Sequence, residues 1–197
     1  MWIIIFIIVI LAIVFIEEHK KEEKRAKKRE SLDAKLSEIP NFTTTVKVMG
    51  LNDEPYIFAT DDEAHLIVYL TESSIKSFSY EDVLSVELIV DNEISQRKST
   101  SRTIGGAIAG SLLGGGIGAI VGGLSGGSKQ EKRNTSVMVK LLIRNTADPT
   151  LEINCMSPEN PDPSFTAPQC ATRIVDTLKV IIDTVDQQAA SNSSARN

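Results

Sequence analysis

Three patterns of apolar and polar positions divide the chain, and a fourth interrupts them. Residues 2–16 (WIIIFIIVILAIVFI) form an unbroken apolar run of fifteen positions bounded by Trp2 and Ile16. From Asn41 to Cys155 apolar side chains recur at every second position in short runs separated by polar turns, the period of half-buried strands. Between Ala171 and Val185 the spacing changes to three and four, the period of a helix with one buried face. Inside the strand-like region lies a segment of another kind, residues 104–124 (IGGAIAGSLLGGGIGAIVGGL).

Eleven of the twelve glycines lie between Gly105 and Gly127, and Gly106, Gly110, Gly114, Gly118, Gly122 and Gly126 keep a strict four-residue step. On a helix that step makes a ribbon without side chains, along which another backbone can approach, as GxxxG pairs do in membranes. Each helical glycine forgoes roughly 1 kcal/mol against alanine, so such a helix needs lipid or a partner. A flexible linker would be rich in serine and other polar residues; here Ser111 is the sole polar side chain among 21 residues. The spacing therefore predicts a glycine zipper. Both ends lead into strands expected in one sheet, and Gly114-Gly115-Gly116 is the most flexible place to reverse the chain. The expectation is a helical hairpin, re-entrant or interfacial, with its halves touching through glycine.

At 1.5 Å per residue the first run covers about 23 Å, short of a ~30 Å hydrocarbon core. Bilayer thinning, with Trp2 at one interface and lysines at the other, covers the deficit. A cleaved signal peptide would need a basic start and a small-residue exit. Nothing basic precedes the run, and Phe15-Ile16-Glu17-Glu18 follows it, so an uncleaved anchor is expected. Lys20, Lys21, Lys24, Arg25, Lys27, Lys28 and Arg29 all follow the run, which places the N-terminus outside and the remainder in the cytoplasm. Residues 17–37 mix these bases with Glu17, Glu18, Glu22, Glu23 and Glu30. Their i,i+4 pairs predict a solvated helical stalk ending before Pro40.

Strands are expected over residues 43–49, 56–59, 65–70, 75–80, 84–91, 137–143 and 151–155. In the fifth, Leu84, Val86, Leu88 and Val90 share one face. The last helix turns Ala171, Ile174, Val175, Leu178, Ile181, Ile182 and Val185 inward, with Pro168 in its first turn, where a missing N–H is harmless. The tail from Ala189 is small and polar and is expected to be disordered.

The short strands, the acidic-aromatic turn Ser79-Tyr80-Glu81-Asp82-Val83 and the single C-terminal amphipathic helix resemble bacterial pleckstrin-homology-like (PH-like) domains over residues 41–96 and 130–189. Separately, Gly105–Gly127 is similar to glycine-zipper segments of bacterial envelope proteins, which often pair as two short membrane helices. Eukaryotic pleckstrin-homology domains often bind phosphoinositides through a basic loop. No such cluster stands out here, so no headgroup residues follow from the resemblance.

Composition narrows the function. A net charge of −5 gives no general attraction to nucleic acid. Cys155 and Cys170 lack metal spacing and suit a reducing compartment as free thiols. His19 and His65 have no ligand-spaced neighbours. Asp61-Asp62-Glu63 lacks the calcium-loop frame and reads as a solvated turn. Ser111 has no GxSxG frame, and no GK[ST] follows the glycines.

The resulting expectation is a mainly β fold with a C-terminal α-helix, a PH-like antiparallel barrel or sandwich, plus an N-terminal transmembrane helix and the inserted hairpin. Its divisions are an anchor (1–16), a charged helical stalk (17–40), the β domain (41–189), the zipper inserted in it (101–128) and the tail (190–197). Functionally this reads as a non-enzymatic binding or scaffold protein without cofactor, catalytic residues or metal site. It would sit in the cell (inner or plasma) membrane by a single pass, with lipid bilayer as partner and self-association through the zipper. The competing class is a membrane-active effector whose zipper inserts, oligomerises and perturbs a bilayer.

Overall fold

The computed structural model describes residues 2–100, 136–161 and 166–194. Among the described residues eight strands form two four-stranded antiparallel sheets. The first comprises β1 (Val46–Met49), β2 (Ile57–Asp61), β3 (Leu66–Leu70) and β4 (Ile75–Ser79) in sequential order. The second has the order β6-β5-β7-β8, with β5 (Val83–Val90), β6 (Glu93–Ser99), β7 (Val137–Ile143) and β8 (Thr150–Met156). The described residues also include two helices, α1 (Trp2–Ser37) and α2 (Ala167–Ser194).

The main core lies between the sheets and is closed by α2. Val48, Phe58 and Ile67 enter from the first sheet and Val86, Leu88, Val139, Leu141 and Ile153 from the second. All seven positions predicted for the helix stripe, from Ala171 to Val185, are buried in this core. Period-two and period-3.6 patterning thus pointed to the same interior, as an amphipathic helix on a sheet requires. The helix continues past Ala189 to Ser194, where a disordered tail was expected. Its serine hydroxyls bond back to the helix, Ser191 to Gln188 O at 2.8 Å and Ser193 to Ala190 O at 2.7 Å.

Three other features depart from the sequence reading. First, β6 was not anticipated. It is polar (EISQRKS) and lacks an apolar alternation; it forms because β5 offers it an edge and α2 holds its side chains. Lys98 pairs with Asp183 at 2.6 Å, and Lys179 donates to Gln96 at 2.5 Å. Second, a bulge where β5 meets β7, between Val83 and Ser85, shifts the alternation. Val83 is buried with Val86 and Leu88, while Leu84 is only half-buried and leaves the face assigned to it.

Third, the charged stalk is not free. Leu32 and Leu36 on α1 are buried against Ile57, Ala59, Val68 and Leu70, with Ile39 and Phe42 beside them. This second cluster covers the outer face of the first sheet, so β2 is buried along its whole length. The signal in the sequence is two leucines at i,i+4, too sparse to stand out among the charges.

The apolar part of α1 ends at Ile16, and no helix among the described residues is long and apolar enough to cross a membrane. The expected transmembrane length is therefore not met by helix and hydropathy alone. The zipper segment and its glycines, Gly106 to Gly126, lie outside the described residues, as does the hairpin expected there. The described strands do fix its roots. Thr100 donates its N–H to Leu84 O at one end of β5, and Asp91 donates to Ser136 O at the other. β5 and β7 are indeed neighbours in one sheet. Because β6 runs back along β5, the two roots stand about 23 Å apart along the strand, the length of the seven residues from Leu84 to Asp91.

Candidate functional site

The first place where elements converge is the turn between β1 and β2. Gly50 donates to Tyr56 O at 2.9 Å, closing the turn. Tyr56 is buried and its hydroxyl bonds the Cys155 thiol at 3.0 Å. A Cβ at Gly50 would collide with the Tyr56 ring, so the only glycine outside the zipper is required by close approach. Burial first, and then the Cys155 thiol, pushes the Tyr56 phenol well above its ordinary pKa. Asn52, wholly buried, donates to Asn154 O and Cys155 O on β8, at 3.4 and 3.2 Å. Asp53 donates its N–H to the Asn160 side chain at 3.0 Å. One turn thereby ties the two sheets together.

Onto this turn comes α1. Arg25 is buried, and its Nε and Nη2 reach Asp53 Oδ1 at 2.7 and 2.6 Å while Nη1 reaches Glu22 at 2.5 Å. Lys28 adds a bond to Asp53 O at 3.3 Å and an ion pair to Glu72 at 2.9 Å. Lys47 on β1 pairs with Asp33 at 3.0 Å. The stalk bases expected to lie in solvent are thus partly used to dock the helix. Nine residues, about 14 Å of helix, separate Ile16 from Arg25. Within the apolar run the described side chains are open: Trp2 is 86% exposed, Phe6 67% and Phe15 74%.

The second place is an open cleft of about 600 Å³ at the corner between β4 and the β7–β8 turn. Phe78, Leu84, Leu142 and Ile143 give it an apolar floor, and Ser77, Asp82, Arg144 and Asn145 a polar rim. It adjoins a smaller cleft of about 320 Å³ bordered by Ile75, Lys76 and Asp148. Lys76 and Asp148 bridge the two sides at 2.6 Å. β4 is the edge strand of its sheet, and Ile75 beside it is 55% exposed. The flip of Leu84 produced by the β5 bulge helps line this cleft, so sequence alternation alone could not find it.

The acidic turn reads differently in three dimensions. Asp61 is a buried cap, accepting N–H bonds from Thr43 at 2.6 Å, Glu63 at 2.9 Å and Ala64 at 2.9 Å. These donors, Ala64 foremost, hold its carboxyl below the usual range. Asp62 accepts the Tyr80 hydroxyl at 2.5 Å. Desolvation, then that bond, raises the Tyr80 phenol. Tyr80 stacks on His65, with centroids 5.4 Å apart. His65 adopts a φ of 52° before β3 and does not open the strand. The Ser79–Asp82 turn is a short 3-10 helix in which Ser79 N–H and hydroxyl both donate to Asp82. These are structural locks. No group of three or more metal-ligating side chains occurs among the described residues. His19 lies exposed on α1 beside Glu23.

Neither a curated protein nor a solved structure matches the chain. A family profile described as "Glycine zipper containing PH domain" matches residues 46–157, from the first residue of β1 to just beyond β8. The matched span takes in both sheets and the glycine-rich insertion, more than half of the 197 residues, and the chain belongs to this family of glycine-zipper-containing PH domains.

Proposed function

We propose that the protein is a membrane-anchored, non-enzymatic binding or scaffold module. Its PH-like domain is held at the cytoplasmic face of the cell membrane by α1, and its glycine zipper packs on the bilayer or on other copies. The observation that carries this reading is the continuity of α1. One helix presents exposed Trp2, Phe6, Leu11 and Phe15 at one end and docks on the domain through Arg25, Leu32 and Leu36 at the other. An apolar helix end of this size is unfavourable in water. Lipid accommodates it, with local thinning for its short length. Membership of a PH-domain family and the open cleft beside β4 support a binding role. Among the described residues, the polar groups of Arg25, Asp53, Asp61 and Asp82 serve as caps and docking contacts.

The test is alkaline carbonate extraction of the full chain carrying a reporter after Asn197. The reading predicts that the chain stays with membranes and that the reporter is active in the cytoplasm. Release into the supernatant, or an external reporter, overturns it.

A further inference from the structure

The outer face of the second sheet carries a charge row with an unusual symmetry. Register places Arg97, Glu87, Lys140 and Glu152 side by side across β6, β5, β7 and β8. Their signs alternate, plus, minus, plus, minus. Arg97 pairs with Glu87 at 2.5 Å and Lys140 with Glu152 at 3.2 Å. Two residues further along β5 runs an apolar row, Ile94, Ile89 and Met138, ending at Asn154. Ile94 is 48% exposed and the other two apolar side chains are half-buried.

An alternating row of four is complementary to its own reversal. Rotation by 180° about an axis parallel to the strands, in the plane of contact, reverses the order across the sheet and keeps the strand direction. Arg97 then faces Glu152 of a second copy, Glu87 faces Lys140, and Ile89 faces Met138. Rotation about an axis along the row would instead set Arg97 against Arg97. From this geometry we infer that the outer face of the β6-β5-β7-β8 sheet is a two-fold pairing surface for a second copy of this chain. Like-charge contact excludes the other axis, and closed two-fold pairing of one patch with itself is the commonest way identical chains associate.

The face is small. Four strands about 4.8 Å apart and five residues long give on the order of 300 Å² per copy. Stable dimers bury about 800 Å² per partner. The pairing is therefore weak in dilute solution and gains from confinement of both copies in one bilayer, to which extent it rests on the anchoring proposed above.

The experiment uses the full chain reconstituted in phosphatidylcholine vesicles. Arg97→Cys and Glu152→Cys chains are mixed and treated with a short bismaleimide, with vesicle and supernatant fractions analysed separately. Recovery in the supernatant would count against the anchor, while cross-linking is read in whichever fraction holds the chain. The mixture should cross-link at least fivefold more than either variant alone. In cysteine-unmodified chains, Glu152→Lys should lower the dimer fraction about tenfold and Arg97→Glu in the same chain should restore it. These exposed substitutions leave folding nearly unchanged. Self-cross-linking of Arg97→Cys, a monomer at all protein-to-lipid ratios, or a dimer indifferent to Glu152→Lys but lost on deletion of residues 101–128 each overturns the proposal.

Discussion

Arg25 and Asp53 are joined through one carboxylate oxygen, which accepts both Nε and Nη2 of the guanidinium at 2.7 and 2.6 Å. Arg25 is buried under the turn it holds, whereas the Asp53 side chain is 54% exposed. Solvent around Asp53 keeps the loss on removal below that of a fully buried pair. Arg25→Ala should cost about 1–2 kcal/mol, and Arg25→Lys about half of that, since an ammonium cannot present the same planar set of donors. Leu32→Ala, which empties the apolar half of the same contact, should cost about 2–5 kcal/mol. Hydrogen exchange should show faster opening of residues 22–37 in all three variants, with Leu32→Ala the largest. Unchanged protection would show that α1 does not dock.

Lys179 lies off the buried stripe of α2, yet it donates to Gln96, which is 6% exposed. Removing it leaves a buried acceptor on β6 unpaired. Lys179→Ala should therefore cost about 1 kcal/mol, where a surface position without such a contact costs less than about 0.5 kcal/mol. Val180, 66% exposed, is the neutral comparison, and Val180→Ala should stay within about 0.5 kcal/mol. Leu178→Ala should cost about 2–5 kcal/mol. Denaturant midpoints in detergent would order the three.

Gly50 allows a close approach that no other residue permits. Gly50→Ala pushes Tyr56 off the Cys155 thiol and out of the core, and should destabilise by about 1–3 kcal/mol, as over-packed sites do. Tyr56→Leu in the Gly50→Ala background should recover part of the loss by removing the ring. Thermal unfolding of the three chains checks this; an additive double variant would place the strain elsewhere.

Acid should weaken the β2–β3 hairpin through Asp61. Its folded pKa lies below the unfolded value, so its contribution is present above the ordinary carboxylate range and is lost as pH falls through the folded pKa. Asp61→Asn should be less stable than the parent at neutral pH and should converge with it in acid. At the alkaline end the sign reverses in cause. Burial raises the Tyr69 phenol to about 12, so stability should fall as pH rises above about 10, where only the unfolded chain ionises. Parallel pH profiles for Asp61→Asn and the parent would contradict the capping role.

Legibility followed the strength of periodicity. The stripe from Ala171 to Val185 was read residue by residue because a long amphipathic helix has one way to bury its face. The strand 137–143 was read because Val137, Val139, Leu141 and Ile143 alternate there, and 65–70 because a short apolar run lies between polar turns. Polar β6 was invisible, since it is held by β5 and by polar contacts of Gln96 and Lys98 with Lys179 and Asp183, none of which leaves an apolar alternation. The apolar signal for docking of α1 was Leu32 and Leu36 alone, beneath a dense charge pattern that suggested solvent. The cleft depended on Leu84, whose facing is set by a bulge that period-two counting cannot register.

The central claim is that one helix enters lipid at its N-terminal end and carries the folded domain at the other. Site-directed spin labels at Phe15 and Lys24, in the full chain reconstituted in vesicles, test it most directly through collisions with oxygen and with a water-soluble nickel chelate. A label at Phe15 should collide with oxygen and be shielded from nickel. One at Lys24, about 14 Å further along the helix, should be open to nickel while Arg25 beside it holds Asp53. Equal nickel access at both positions in the presence of vesicles would contradict the account.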